Sequence, residues 1–272
     1  SLDRPRIMGI VNVTPDSFSD GGRLANTDAA VSHALALAEQ GAEILDIGGE
    51  STRPGSDPIP VEEELRRVIP VIEALSGKTD ALISIDTRKP EVMRQAVAAG
   101  ADIINDVTAL TFTPASVETA AELGVPVILM HARGDPRTMQ LDPTYGNVVL
   151  DVFDYLEDRI DACKSAGIQR EKVVVDPGIG FGKTLAHNCE LMERLAILHG
   201  LGVPILLGAS RKSFIGRLAD VPVAADRVHG SVGAVLAALA QGAQILRVHD
   251  VAATRQAISV FQTSIGATAT TA

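Results

Sequence analysis

Short apolar runs recur along the chain, and each ends abruptly at a polar, charged or glycine residue. About eight such runs cover positions 7–11, 44–45, 82–85, 103–104, 127–130, 173–175, 205–207 and 245–246. The residues that follow them are Asn12, Asp46, Asp86, Asn105, His131, Asp176, Gly208 and Arg247. Parallel strands of this kind direct their carboxyl ends to one face, where binding and catalytic groups collect. The pattern therefore predicts a site built from strand ends.

Helices are predicted between the apolar runs, over 28–40, 60–76, 90–99, 114–123, 148–166, 188–199 and 230–241. Most of these segments stop at a glycine, the residue favoured just past a helix C-terminus. Regular alternation of strand and helix indicates a parallel sheet. Eight units without a change in composition favour an α/β fold with a single (β/α)8 TIM barrel over a doubly wound sheet.

We expect this barrel to form one domain over residues 1–272. Two connections, 14–27 after the first strand and 48–59 after the second, are unusually long and polar, which is typical of functional loops. The segment 263–272 is rich in Thr, Ala and Gly and is predicted to be a flexible tail.

Composition narrows the class of protein. Apolar residues make up 46 % of the chain but aromatic residues only 3 %, so the core must consist of small and aliphatic side chains. A net charge of −10 argues against nucleic acid or an anionic membrane as a partner, although a few focused cations can still bind an anionic substrate. Neither a membrane-spanning run nor a signal-peptide pattern is present. Two cysteines without a Cys/His cluster suit a reducing compartment, so a cytoplasmic location is expected.

Three strand ends present a combination of groups suited to a small polar ring. Asp86, Asn105 and Asp176 supply two carboxylates and one amide. A carboxylate can accept two N–H bonds from an amino-pyrimidine edge, much as acidic side chains read nucleobases. The alternative is that these residues cap helix N-termini, which is common for one residue but less so for three around one mouth.

The two long loops carry candidate ligands for an anion and a cation. In the first loop, the Asn12 amide can bind an anion or a metal, Asp20 can bind a cation, and Phe18 can exclude water as part of a lid. In the second, Thr52 and Arg53 are donors suited to phosphate or carboxylate. The alternatives are an ordinary solvated turn for the first loop and a surface arginine in a glycine-rich loop for the second.

A glycine-rich segment, GIGFGKT at 178–184, resembles a Walker A motif only superficially, because Pro177 stands where that motif requires glycine. We interpret it as a loop over a ligand. After the last two strands, Lys212, Arg247 and His249 are candidates for anion binding, as barrels often bind phosphate there. Two alternatives remain: Lys212 as a Schiff-base nucleophile, and Arg247 in a salt bridge to Asp250 or another acidic neighbour.

Seven stretches in a fixed order resemble the dihydropteroate synthase family over most of the chain. They are MGIVNVTPDSFSDGG (8–22), DIGGESTRPG (46–55), SIDTRK (84–89), INDV (104–107), DPGIGFGKT (176–184), GASRKSF (208–214) and RVHDV (247–251). One departure lies at 131–140, where Ala132 and Arg133 differ from the usual pattern, so no role is assigned in that loop.

The resemblance implies an Mg²⁺-assisted transferase of folate biosynthesis. It would join 6-hydroxymethyl-7,8-dihydropterin diphosphate to 4-aminobenzoate, act as a homodimer and be a sulfonamide target. The implied pterin ligands are Asp86, Asn105, Asp176 and Lys212, and those of the diphosphate are Asn12, Thr52, Arg53, Arg247 and His249. The resemblance also implies an aminobenzoate pocket of Phe18, Pro54, Phe181, Lys212 and Ser213, magnesium ligands Asn12 and Asp20, and catalytic residues Arg53, Lys212 and Asp86.

Two rival functions would share much of this pocket. One is a methyltransferase that takes a methyl group from methyltetrahydrofolate, and the other is a pterin-binding barrel without turnover. The first does not require the Asn12-to-Asp20 and Ser210–Lys212 elements, whose chemistry suits a diphosphate. The second is disfavoured because the family motifs are intact outside the 131–140 loop.

Overall fold

Eight parallel strands form a closed barrel in the computed structural model, which describes residues 2–14, 22–51, 56–134 and 138–266. The strands are β1 (Arg6–Asn12), β2 (Ile44–Gly48), β3 (Leu82–Asp86), β4 (Ile103–Asp106), β5 (Val127–Met130), β6 (Val173–Asp176), β7 (Leu206–Leu207) and β8 (Ile245–Val248). Their order in the sheet is β6-β5-β4-β3-β2-β1-β8-β7. A parallel bridge between Val175 and Ile205 joins the two end strands, which confirms the predicted TIM barrel.

Helices follow the strands and cover the outside of the barrel. They are α1 (Gly22–Gln40), α2 (Val61–Leu75), α3 (Pro90–Ala99), α4 (Ala115–Leu123), α5 (Val148–Ser165), α6 (Leu185–Glu193), α7 (Ser213–Ala219), α8 (Val228–Ala240) and α9 (Val251–Ser264). Short 3-10 helices cover Arg170–Lys172, Leu195–Leu201 and Ala224–Asp226. The glycine stops are confirmed: Gly100, for example, ends α3 with φ 117°, a conformation that glycine adopts without steric cost.

Several predicted boundaries were wrong. The helix α1 begins at Gly22, so the first loop is shorter than the predicted 14–27. Helix α6 ends at Glu193 and is succeeded by a 3-10 segment, whereas a single helix to position 199 was predicted. Helices α7 and α9 were not predicted. Helix α9 runs to Ser264 and buries Val251, Thr254 and Ile258, so the first two positions of the predicted tail are helical. Positions 267–272 of that tail lie outside the described residues. Packing of α9 on the barrel offsets its weak local helix signal.

The core has two parts, one inside the barrel and one between the sheet and the helices. Seven strands each contribute one side chain to the inner cluster: Met8, Ile44, Ile103, Ile128, Val174, Leu206 and Ile245. The larger outer cluster is also mainly aliphatic, as the composition predicts. Side chains of the inner cluster fill the barrel as in other TIM barrels, so the interior is a packed core below the site.

A buried charge network connects the β2–α2 loop to β3. Lys89 Nζ lies 3.1 Å from Glu50 Oε1 and also contacts Glu64 Oε2 of α2. Glu50 Oε1 accepts a bond of 2.9 Å from the backbone N–H of Ile59, at the far end of the loop. Glu50 Oε2 accepts another from Arg88. Both ends of this loop are thus held to the barrel by one carboxylate and its cations.

We expect Lys89→Met to lower the free energy of unfolding by about 3–5 kcal/mol, because it leaves two buried carboxylates without their shared cation. Urea unfolding followed by circular dichroism measures the change. Lys78→Met is the matched control, since Lys78 is exposed and its replacement should change stability by less than about 0.5 kcal/mol. Equal unfolding midpoints for the two variants would contradict the assigned role of the network.

Candidate active site

The carboxyl ends of β1 to β4 lie at one level of the barrel. In the strand register Asn12 pairs with Gly48, Gly48 with Asp86, and Asp86 with Asn105. Asp176 ends β6 opposite Met130 of β5. The predicted convergence of strand-end polar groups is therefore present, because parallel pairing places these positions around a single mouth.

Arg247, on β8, joins several of these groups across the neighbouring strand β1. Its Nε donates to Asp46 Oδ2 at 2.6 Å, and its Nη2 donates to Asp86 Oδ2 at 2.8 Å. Asn105 Nδ2 also donates to Asp46 Oδ2, at 3.1 Å. Asp46, which is fully buried, is thus a central site residue that sequence reasoning did not assign, although its position directly after an apolar run was the available signal.

The contacts of Arg247 include a salt bridge, which the sequence analysis gave as the alternative to anion binding. It forms an ion pair with acidic neighbours, but these are Asp46 and Asp86 and not Asp250. Asp250 instead accepts two bonds, of 3.0 and 2.5 Å, from Arg211. Arg247 Nη1 has no hydrogen-bond partner within the part of the chain that the structure describes. This nitrogen is available to an anion.

Each of the two carboxylates around Arg247 has one oxygen that lacks a hydrogen-bond donor among the described residues. The pKa of Asp86 is raised to about 8, mainly by burial. The charge of the nearby Asp46 contributes to this rise, and its influence is larger than the opposite influence of Arg247. Asp46 Oδ1 and Asp86 Oδ1 are buried and have no hydrogen-bond partner among the described residues. Buried acceptors of this kind are normally satisfied. A ligand that presents N–H groups would complete the arrangement.

Asp176 and Lys212 form the other side of the mouth. Asp176 Oδ1 accepts a 2.7 Å bond from the N–H of Gly178, and burial raises the pKa of its carboxyl against the influence of Lys212. Burial lowers the pKa of Lys212 to about 8, although Asp176 opposes this change. Lys212 Nζ donates to the carbonyl of Ile179 and lies 4.5 Å from the centre of the Phe181 ring.

Two glycines lie among these groups and bring no side chain to the mouth. A Cβ at Gly48 would lie 3.6 Å from Asp86 Cβ and 3.9 Å from Asn12 Oδ1. A Cβ at Gly208 would lie 3.6 Å from Asp176 Oδ2 and 3.8 Å from Arg247 Cδ. Because neither position carries a side chain, the space between the carboxylates stays open at the strand ends.

The rim of the mouth holds further predicted residues. His249 Nδ1 lies 3.0 Å from Ser210 Oγ, and Ser213 is exposed at the start of α7. A cavity of about 340 Å³ borders Phe181 on the side of β2 to β6, with Ser51, Arg88 and Phe112 in its wall. Its volume falls in the range of small-molecule sites.

Five predicted residues lie outside the described part of the chain: Phe18, Asp20, Thr52, Arg53 and Pro54. Asn12 is half-buried at the mouth. Within the described ranges no group of three or more His, Cys, Asp or Glu side chains is arranged to hold a metal ion. A magnesium ion that takes most of its oxygen ligands from a substrate diphosphate and water does not need such a group.

Comparisons with known proteins identify the family. Residues 8–249 match the model of the pterin binding enzyme family. The chain is 49 % identical over 266 residues to a dihydropteroate synthase of Escherichia coli K12, covering 98 % of this chain and 94 % of that protein.

Two solved structures from Xanthomonas albilineans are also similar. One is a dihydropteroate synthase with 4-aminobenzoic acid, with 55 % identity and a TM-score of 0.93 over 98 % of this chain and 95 % of that one. The other is a dihydropteroate synthase in complex with 7,8-dihydropteroate, with 52 % identity and a TM-score of 0.89 over 99 % and 96 % of the two chains.

The (β/α)8 fold, the ring of strand-end carboxylates and the family match together define a pterin-binding enzyme. Within that class the chain belongs to the dihydropteroate synthase family. It is accordingly a transferase of folate biosynthesis. No helix in the described ranges has the length and apolar character needed to cross a membrane.

We expect the free energy of unfolding of Asp86→Asn, relative to that of the unchanged protein, to increase as pH rises from about 4 to 8. The unfolded chain releases the Asp86 proton near pH 4, but the folded protein keeps it to a higher pH. Between these two pH values, deprotonation of Asp86 favours the unfolded chain, so the unchanged protein loses stability as pH rises. Asparagine has no proton to lose, so the variant does not show this loss.

Urea midpoints at pH 5 and pH 8 measure this effect. Asp80→Asn, at an exposed carboxyl before β3, is the control and should show no such shift. Parallel stability curves for Asp86→Asn and the unchanged protein would show that the Asp86 carboxyl is not perturbed.

Proposed function

We propose that this mouth binds 6-hydroxymethyl-7,8-dihydropterin diphosphate and transfers its pterin-methyl group to the amine of 4-aminobenzoate. The products are 7,8-dihydropteroate and diphosphate. The observation that carries the proposal is the pair of buried acceptor atoms, Asp46 Oδ1 and Asp86 Oδ1, which have no hydrogen-bond partner among the described residues. A ring with several N–H groups on its edge would supply the missing donors.

The pterin ring is assigned to the deeper part of the site. Asp86 and Asp176 accept its N–H groups from two sides, and Asn105 supplies an amide beside them. Lys212 has its Nζ over the Phe181 ring and would donate to a ring acceptor of the pterin. Its lowered pKa suits a Schiff-base lysine as well, but the reaction contains no carbonyl addition that would require one.

The diphosphate is assigned to the outer part of the site. Arg247 directs a nitrogen without a described partner there, His249 lies on the rim, and Thr52 and Arg53 belong to the loop after β2. When the C–O bond breaks, its electron pair leaves with the diphosphate and positive charge spreads over the pterin. Fixed cations stabilise the departing anion. The N–H groups of the pterin favour the ionised form of Asp86 when they donate to it, so that the buried carboxylates stabilise the pterin cation.

The second substrate completes the exchange. The neutral amine of 4-aminobenzoate attacks the pterin methylene carbon, a C–N bond forms, and the amine proton passes to the departing diphosphate or to solvent. We assign the aminobenzoate ring to the neighbourhood of Phe181, Lys212 and Ser213, together with Phe18 and Pro54 of the two long loops. No strong base is required, because the amine has an unshared pair at neutral pH.

Mg²⁺ fits the donor chemistry of the outer site. The Asn12 amide oxygen lies at the mouth, and Asp20 follows in the same loop, so both are oxygen ligands of the kind that Mg²⁺ prefers. When bound, the ion would neutralise charge on the diphosphate oxygens. The methyltransferase and non-catalytic alternatives lose support, since the relatives found are dihydropteroate synthases.

The activity is tested by mixing the purified protein with Mg²⁺, pterin diphosphate and radiolabelled 4-aminobenzoate. Labelled dihydropteroate should form, and EDTA should abolish its formation. Formation of labelled product that is equally fast in excess EDTA would overturn the magnesium assignment. Absence of product with both substrates bound would overturn the function.

We predict that Arg53→Ala lowers kcat by about 10²–10³-fold with a smaller change in KM, because a cation that stabilises the leaving diphosphate acts mainly in the transition state. Steady-state kinetics with both substrates measure the split. Arg66→Ala, at an exposed arginine of α2, is the control and should leave both constants unchanged. Unchanged turnover in Arg53→Ala would remove this residue from the mechanism.

We further propose that the enzyme is a cytoplasmic homodimer. Both cysteines are free thiols, as expected in a reducing compartment. Helix α8 is apolar around most of its circumference, and it leaves Gly233, Ala237 and Ala240 exposed beside half-buried Val232 and Leu236. A helix that is apolar on all sides is normally covered, so we assign this face to the contact between subunits.

Light scattering should accordingly give twice the chain mass of 28.5 kDa. Ala237→Arg should reduce the particle to a monomer, since it places a charge in the apolar contact. Ala115→Arg, at an exposed position of α4, should leave the dimer intact. A dimer that persists in Ala237→Arg would exclude α8 as the interface.

A further inference from the structure

Lys183, in the segment that superficially resembles a nucleotide-binding loop, is turned into the protein. Only 3 % of its surface is exposed. Its Nζ lies 2.8 Å from His131 Nδ1, 3.0 Å from the carbonyl oxygens of both Gly178 and Phe181, and 3.3 Å from the carbonyl oxygen of His131. All four neighbours act as acceptors, which is the environment of a protonated amine with three N–H donors.

The contacts of Lys183 join two loops that come from neighbouring strands. Gly178 to Gly182 follow β6, and His131 follows β5. A Cβ at Gly178 would lie 1.8 Å from the carbonyl oxygen of His131, and one at Gly182 would lie 2.3 Å from that of Arg133. The two backbones are therefore in direct contact, and their carbonyl groups converge. The ammonium group of Lys183 balances these carbonyl dipoles where the loops meet.

The loop held in this way carries three features of the proposed pterin site. The N–H of Gly178 donates to Asp176, the carbonyl of Ile179 accepts from Lys212, and the Phe181 ring lies under Lys212 Nζ. Two of the four atoms around Lys183 Nζ belong to Gly178 and Phe181 themselves. A shift of the loop would therefore displace the partners of both Asp176 and Lys212.

Burial and neighbouring charges both act on the pKa values of this region. Burial, with the nearby Lys183 charge, lowers the pKa of His131 to about 2, so the imidazole is neutral and can accept a bond. Burial lowers the pKa of Lys183, and Asp176 opposes the change. Asp176 in turn faces three cations, which are Lys212, Arg247 and Lys183.

We propose that Lys183 is a positioning residue of the pterin site. Its buried amine fastens the Gly178–Gly182 loop to the end of β5 and so sets the places of Ile179 and Phe181, against which Lys212 rests. This inference depends on the proposed assignment of Asp176 and Lys212 to the pterin. It also gives the end of β5 a function that its variant sequence does not reveal.

The test compares Lys183→Met with Lys172→Met. Both changes remove a lysine that donates to backbone carbonyl oxygen, but Lys172 binds Gly124 on the exposed surface, away from the mouth. Binding of 6-hydroxymethylpterin, followed by its fluorescence, should weaken by about tenfold or more in Lys183→Met and by less than about twofold in the control. With the full reaction, KM for the pterin diphosphate should rise by about tenfold, while kcat falls by less than about threefold.

The pH dependence of pterin binding tests the role further. Its acidic limb, where binding is lost as pH falls, would not change if Lys183 had a purely structural role. Removing the Lys183 charge raises the pKa of Asp176, so binding should fail at a higher pH in Lys183→Met than in the unchanged protein. The control should keep the original limb. If Lys183→Met does not fold, Lys183→Gln, which keeps two N–H donors without the charge, should show the same displacement of the limb.

Unchanged affinity and an unchanged acidic limb in Lys183→Met, with or without a lower melting temperature, would overturn the proposal. A protein that binds the pterin but makes no dihydropteroate would overturn the proposed function instead, since the binding measurements need no turnover. Failure of the unchanged protein to bind the pterin would overturn the pterin assignment and the proposal together.

Discussion

Arg247 lies between two buried carboxylates, and the rest of the site depends on this contact. One guanidinium group donates to both Asp46 and Asp86, at 2.6 and 2.8 Å. A single cation cannot satisfy two carboxylates removed from water, so one oxygen of each remains without a described partner and the pKa of Asp86 rises. Such an arrangement is costly in the free protein. A bound ring that supplies N–H groups offsets that cost, which links the stability of the barrel to recognition of its ligand.

Buried lysines organise the loops around this centre. Lys89 holds the β2–α2 loop through Glu50 and Glu64, so its charge is balanced by carboxylates. Lys183 holds the β6–α6 loop through backbone carbonyl groups and a neutral imidazole. Both amines are buried. Two of the loops that follow the strand ends are therefore fixed by ionic and dipolar contacts.

Much of the architecture could be predicted from local pattern. Parallel β strands that end at polar residues, and helices that end at glycines such as Gly100, are properties of a few consecutive residues. Helices α7 and α9 escaped prediction because their stability comes from packing on the barrel. Asp86, Asn105 and Asp176 could be selected because each follows an apolar run, while Asp46 follows one equally well and was not selected.

The barrel, the family and the strand-end polar groups could be predicted from the sequence, because the spacing of apolar residues and the order of motifs can be recognised in short segments. Which of those groups meet depends on the tertiary structure. Arg247 and Asp46 are 201 residues apart and come together only when β8 closes on β1 and β2. Lys183 lies in a segment that only superficially resembles a Walker A motif, and it points inward because the β5 and β6 loops direct their carbonyl groups to one buried point. Which side chains contact one another across the barrel depends on strand register and burial, and neither can be deduced from a short segment of sequence.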